Sequence, residues 1–171
     1  MAFIGNGVEY GLHCLLHLVG DPEEVGHAGV RDLAELQGVS GEYLAKLFTK
    51  LAKADLVVAA EGVRGGFRLA RSADRITVHD VVEAIEGDKD FFDCQEIRAR
   101  CAVFDEQPPG WATRGVCSIH AVMKSAEAAM REELKRHTLA DLARRTDAKS
   151  SAGYKGQVVA WLSGRAAARR P

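Results

Sequence analysis

Gly38-Val39-Ser40-Gly41-Glu42-Tyr43-Leu44-Ala45-Lys46-Leu47-Phe48-Thr49-Lys50-Leu51-Ala52-Lys53-Ala54 is the stretch that decides the fold. Gly38-Val39-Ser40 reads as a tight turn, and Ser40 offers a side-chain oxygen at the N-cap of the helix that follows. Glu42 falls in the first turn, where the positive end of the helix dipole favours a carboxylate. Leu44, Leu47, Phe48 and Leu51 recur at three- and four-residue steps, so one stripe of this helix is apolar. Lys46, Lys50 and Lys53 recur on the other side. The spacing predicts a helix over 41–54 with an inner apolar and an outer basic face.

Upstream, Val30–Gln37 carries Leu33, Ala34 and Leu36 and predicts a short helix. Two helices joined by a glycine turn make a helix-turn-helix. Downstream, Leu56–Ala60, a glycine-rich 61–66 and Phe67–Ala70 read as strand, turn, strand. A hairpin placed directly after a recognition helix is a wing. On such a head, Lys46, Lys50 and Arg64 would contact phosphate, with Gly65 and Arg68 alongside on the wing. Ser40, Glu42 and Tyr43 would lie near base edges. The whole chain has net charge −1, so bulk charge gives no argument for nucleic acid. Between 40 and 75, however, the bases exceed the acids by three, a modest footprint for phosphate.

Farther out, residues 7–19 are helical by pattern, with Val8, Leu12, Leu15, Leu16 and Val19 on one stripe. Glu9 and His13, four apart, share a face beside it. Ile76–Ile85 predicts another helix, capped by Thr77 and stopped near Gly87. Residues 88–117 keep no period and include Pro108-Pro109-Gly110; long irregular stretches of this kind are usually functional. A long helix is expected from Ser118 to Lys135. Its narrow apolar stripe (Ile119, Val122, Met123, Ala126, Met130, Leu134) suits a dimer seam. Thr138–Arg145 predicts a last short helix. The expected organisation is mainly α with a small β wing: a winged helix-turn-helix over 1–87, a cysteine-bearing loop over 88–117, a dimerisation helix and C-terminal helix over 118–146, and a flexible tail over 147–171.

The 171 residues, 47% hydrophobic, suffice for about one domain with a real core. Neither a secretory signal nor a membrane span is expected, which favours a cytoplasmic chain with reduced thiols. Cys14, inside the apolar run 12–19, reads as packed. Cys94, Cys101 and Cys117 lie instead among charges, prolines and glycines, with six and then fifteen residues between them. This spacing is neither a zinc ribbon nor a ferredoxin run. Three chemistries stay open: an iron–sulfur cluster, structural zinc, or a Cys94–Cys101 thiol–disulfide switch. His120 lies three residues past Cys117. A Cys117 nucleophile with His120 as base would lack an orienting group and an oxyanion element, so the chain reads as a regulator and not an enzyme.

Five ordered stretches resemble the Rrf-two family of bacterial transcription regulators, over about residues 3–145. They are Val-Glu-Tyr-Gly-Leu-His at 8–13, Val-Ser-Gly-Glu-Tyr-Leu-Ala-Lys-Leu-Phe at 39–48, Leu-Ala-Lys-Ala-Asp-Leu-Val at 51–57, Gly-Val-Arg-Gly-Gly-Phe-Arg-Leu-Ala at 62–70 and Ile-Thr-Val-His-Asp-Val-Val-Glu-Ala-Ile-Glu-Gly at 76–87. The resemblance, closest in kind to the iron–sulfur regulators of that family, implies a homodimer with an N-terminal winged helix, a cluster loop and a long dimerisation helix. It implies a cluster held by the loop cysteines plus another ligand, either Glu9 or His13 from the first helix of the other subunit, or His120. The cluster expected is two-iron two-sulfur, with Cys101 and Cys117 as foremost thiolates beside Cys94; a four-iron four-sulfur cluster is the other option. The function implied is a transcriptional regulator, commonly a repressor. Redox or nitrosative change at the cluster would alter its affinity for a palindromic double-stranded DNA operator.

Overall fold

A computed structural model of the chain describes residues 4–20, 27–60, 65–104 and 107–168. Among them are seven α-helices and one two-stranded sheet: α1 (Asn6–Leu16), α2 (Val30–Gln37), α3 (Gly41–Lys53), β1 (Val57–Ala60), β2 (Gly66–Leu69), α4 (Val78–Glu86), α5 (Ser118–Lys135), α6 (Leu139–Asp147) and α7 (Tyr154–Ala168). The chain divides into two compact units, one made of Met1–Gly87 with Leu134–Pro171, the other of Asp88–Glu133.

The first unit closes over one apolar core. Leu15, Leu33, Leu44, Phe48, Leu51, Ile76, Val81 and Leu139 are fully buried. Apart from Ile76, just before α4, and Leu139 on α6, these are the inward stripes of α1 to α4, brought together as their periodicity requires. Gly38 ends α2 in the left-handed region at φ 66°, where a residue without Cβ is favoured, and its N–H reaches the Ala34 and Glu35 carbonyls. Ser40 then caps α3, its Oγ accepting from the Tyr43 N–H at 3.4 Å. β1 and β2 pair antiparallel, Val57 with Leu69 through Ala60 with Gly66. Ala28 extends this edge, exchanging two backbone hydrogen bonds with Phe67 at 2.8 and 3.1 Å. The Phe67 ring meets Phe48 of α3 edge-on at 5.1 Å, which pins the wing to the recognition helix. The wing tip, Arg64 included, lies outside the described residues.

Helices α4 and α6 start side by side. Thr77 and Thr138 each close a capping box, with Asp80 and Asp141 respectively. The two caps are joined by Val78 N–H to the His137 carbonyl at 2.8 Å and Leu139 N–H to the Ile76 carbonyl at 2.9 Å. Cys14 is fully buried, and burial pushes its thiol up to about 12. It therefore packs as a neutral hydrophobe, as expected.

The segment expected to be a mobile tail, 147–171, differs from that expectation. Tyr154–Ala168 is helical, and Val158 and Leu162 are buried in the core. Arg165 lies 3.7 Å from the buried carboxylate of Asp32 on α2, pairs with Glu35 one turn on, and stacks over Trp161. The serine and glycine preceding it read as tail, but Val158 and Leu162, four apart, give this helix one apolar line to bury.

In the second unit, Asp88–Glu133, two short 3-10 turns (Ile97–Arg100 and Ala102–Phe104) interrupt the loop. The helix that follows buries a charged residue and exposes apolar ones. Glu127 is 6% exposed, while Ile119 and Val122 are 62% and 64% exposed. Glu127 accepts hydrogen bonds from Arg131 and Lys124, and these reach onward to Asp88 at 2.9 Å and Asp90 at 2.7 Å. The segment leading to Cys94 is thereby tied to α5.

Candidate functional site

The surface expected to face DNA follows from the capping and packing of α3. With Leu44, Leu47, Phe48 and Leu51 buried, Ser40, Glu42, Lys46, Thr49, Lys50 and Lys53 are left exposed along the opposite face. Tyr43 is half-exposed and reaches sideways to α1. Its ring meets Tyr10 edge-on at 6.1 Å, and a Cβ at Gly7 would lie 2.8 Å from its hydroxyl. A side chain at position 7 would push that hydroxyl aside. The basic residues divide in role. Lys50 donates from Nζ to the Ile85 carbonyl at 2.6 Å, satisfying an end carbonyl of α4. Lys46 is exposed. On the wing, Gly65 is half-buried, and Arg68 is exposed with Nη1 3.2 Å from the Leu69 carbonyl.

The thiols are placed unequally. None of the four cysteines is in a disulfide; Cys94 and Cys117 are half-buried and Cys101 is exposed. Cys117 precedes α5, its carbonyl accepting from the Ala121 N–H at 2.9 Å, so the unsatisfied amides of the first helical turn follow it. His120, within that turn, packs its ring against Phe92 at 6.2 Å. Its Nδ1 is buried and has no hydrogen-bond partner among the described residues. Arg98 binds the Glu96 carboxylate with two nitrogens, one of these bonds being 2.8 Å. The hydrogen bond that it donates to Glu96 holds the guanidinium above its ordinary range. Among the described residues, no three His, Cys, Asp or Glu side chains gather into one metal-holding group. Glu9 and His13 belong to the other unit, exposed on one face of α1. They line a cavity of about 880 Å³ with Leu12, Val82, Leu142 and Tyr154.

Residues 4–145 match the family described as Rrf2, iron-dependent transcriptional regulator. The chain belongs to the Rrf2 family. It is 35% identical over 137 residues to protein rrf2 of Nitratidesulfovibrio vulgaris, spanning 79% of this chain and 83% of that protein. Among solved structures it is similar to T. potens IscR, with a TM-score of 0.63 and 26% identity over 88% of this chain and 93% of that one. Its fold is also that of CymR, described as the global cysteine regulator of B. subtilis, with a TM-score of 0.63 and 23% identity over 85% and 98% of the two chains. The protein is thus a DNA-binding winged-helix transcriptional regulator, from a family of regulators and not of enzymes. Among the described residues, no helix is long and apolar enough to cross a membrane.

Reading the sequence for function overlooked Arg98, one of two arginines between Cys94 and Cys101 with no motif to mark it. The Tyr10–Tyr43 contact was likewise invisible, since it joins residues 33 positions apart through a gap that Gly7 leaves open.

Proposed function

We propose that this Rrf2 regulator carries an iron–sulfur cluster, two-iron two-sulfur in type, whose state sets its affinity for a palindromic operator bound by a homodimer. The observation that carries this reading is the buried His120 Nδ1 without a partner, three residues beyond a loop cysteine. A buried, unsatisfied nitrogen is costly, and an ion that it would ligate is one of the few explanations for it. The donor set fits: soft thiols from Cys94, Cys101 and Cys117 with one imidazole suit an iron–sulfur group better than a hard cation. Glu9 and His13, exposed on α1, are the residues a second copy would offer as further ligands. A bound cluster would supply a reversible one-electron change and a reaction centre for nitric oxide.

The chain's own residues provide the relay. A pull on Glu9 or His13 displaces α1, and Tyr10, between them in sequence, rests on Tyr43 of the recognition helix. Two reading heads in a dimer then gain or lose the spacing that two half-sites demand. A differential stability of only a few kcal/mol, about 1.4 per tenfold, alters occupancy strongly. The dimer seam would be the exposed line of Ile119 and Val122 on α5, with Met123, Ala126 and Met130 beside it.

Protein purified without oxygen is expected to be coloured, with iron and acid-labile sulfide in equal amounts. Colourless protein holding stoichiometric zinc would replace this reading with structural zinc. Metal-free protein whose affinity tracks a reversible Cys94–Cys101 disulfide would replace it with a thiol switch. At the operator, Lys46→Ala is expected to flatten the dependence of log affinity on log salt by about 0.9, the value for one phosphate contact. Lys50→Ala is expected to change that slope less and to lower the melting temperature more, because its ammonium serves α4. Equal slopes for Lys46→Ala and the parent would remove Lys46 from the phosphate contacts.

A further inference from the structure

Fifteen residues separate Cys101 from Cys117, yet the Arg98 side chain ties the two arms of this loop, as does the Phe104–Trp111 ring contact at 5.8 Å. Arg98 grips Glu96 on its own arm, and its Nη2 also donates to carbonyls on the far arm, Gly115 at 3.0 Å and Thr113 at 3.4 Å. The backbone bends to permit this. Glu96 adopts the left-handed region at φ 44°, ψ 56°, a conformation that a non-glycine residue keeps only when its surroundings hold it there. Gly115 is left-handed too, at φ 69°, where glycine costs nothing. Asp90 and Phe92, just before Cys94, are held by Lys124 at 2.7 Å and against the His120 ring at 6.2 Å, on the helix that begins directly after Cys117. Cys101, though only three residues away in sequence, is exposed.

We propose that Arg98 is a positioning residue that closes the long loop, setting Cys94 and Cys117 as its paired thiols and leaving Cys101 as a separate, solvent-facing third. The geometry needs a guanidinium. A planar fork of donors satisfies a carboxylate and two carbonyls at once, which a lysine ammonium on its flexible stem does not reproduce. The same positive charge offsets negative charge gathered on the two sulfurs and on any anionic group that they hold. That last consequence rests on the cluster reading; the pairing is a property of the metal-free chain.

The test therefore uses full-length, reduced, metal-free protein treated with dibromobimane, which fluoresces once it has bridged two thiols, followed by peptide mapping. In the parent chain the main bridged product is expected to join Cys94 and Cys117. Arg98→Met is expected to cut its yield several-fold, Arg98→Lys to restore little of it, and Glu96→Gln to give a smaller fall in the same direction. Circular dichroism and melting curves identify a variant whose yield falls because it has unfolded; Glu96→Gln, which leaves Arg98 in place, then decides. A parent product joining Cys94 to Cys101, or full Cys94–Cys117 yield in a folded Arg98→Met chain, would overturn the proposal. A parent that never acquires iron and sulfide sinks the cluster reading alone and leaves the pairing to the bimane result.

Discussion

A Val122→Glu chain is expected to stay monomeric at concentrations where the proposed dimer of the parent forms, and to lose operator affinity by roughly two orders of magnitude or more. Val122 lies on an 18-residue helix whose buried residue is charged while its apolar line faces outward. Covering that line with its copy would bury Val122 from both protomers, and each fully buried side chain of this size contributes about 1.5–3 kcal/mol. Glutamate removes that gain twice and sets two like charges into one seam, where each costs several kcal/mol more to desolvate (about that scale for a partly relaxed site). At about 1.4 kcal/mol per tenfold, the dimer constant weakens by roughly a thousandfold or more. A monomer reads one half-site only, so the operator loss follows. Sedimentation across a concentration series and operator retention assays measure both effects. Val122→Leu, which keeps the apolar line, is expected to behave as the parent does. A dimeric Val122→Glu protein of parental affinity would place the seam elsewhere.

The second large effect belongs to Phe48→Ala, expected to cost about 3–5 kcal/mol of folding stability. Phe48 is fully buried beneath the recognition helix and holds Phe67 of the wing edge-on. Alanine leaves a cavity and also frees the strand that Phe67 anchors. Against a typical total of about 5–15 kcal/mol, that is a large share. The melting temperature is expected to fall by roughly 10 °C or more, with operator affinity falling as the wing loosens. Phe48→Leu, which refills part of the space, is expected to lose markedly less. A Phe48→Ala chain melting beside its parent would mean that this ring does not carry the head.

The reading head was legible in the sequence because its signals are local. Gly38, Ser40 and the stripe from Leu44 to Leu51 each act within a few residues, and the bounds expected for α2 and α5 match those found. The wing was readable for the same reason, a glycine-rich turn between two short apolar runs. What the sequence hid was long-range. Arg98 joins carbonyls 15 and 17 positions away, and backbone carbonyls leave no mark on residue identity. Lys50 illustrates the converse. Its place on the outer face of α3 suggested phosphate, but the end of α4 lies within its reach, a fact set by packing. Of the cysteines, Cys14 was correctly read as buried from its apolar neighbours. Which loop thiols approach one another depended on chain closure that spacing alone does not reveal.

The docking of α7 has a practical consequence for anyone recombining these proteins. The family match ends at residue 145, yet Val158 and Leu162 complete the core, and Arg165 lies beside Asp32 on the helix that precedes α3. A chimera spliced at residue 145, the natural junction by similarity, would discard part of its own foundation. Grafts that carry the segment through Ala168 keep the core beneath the winged helix complete.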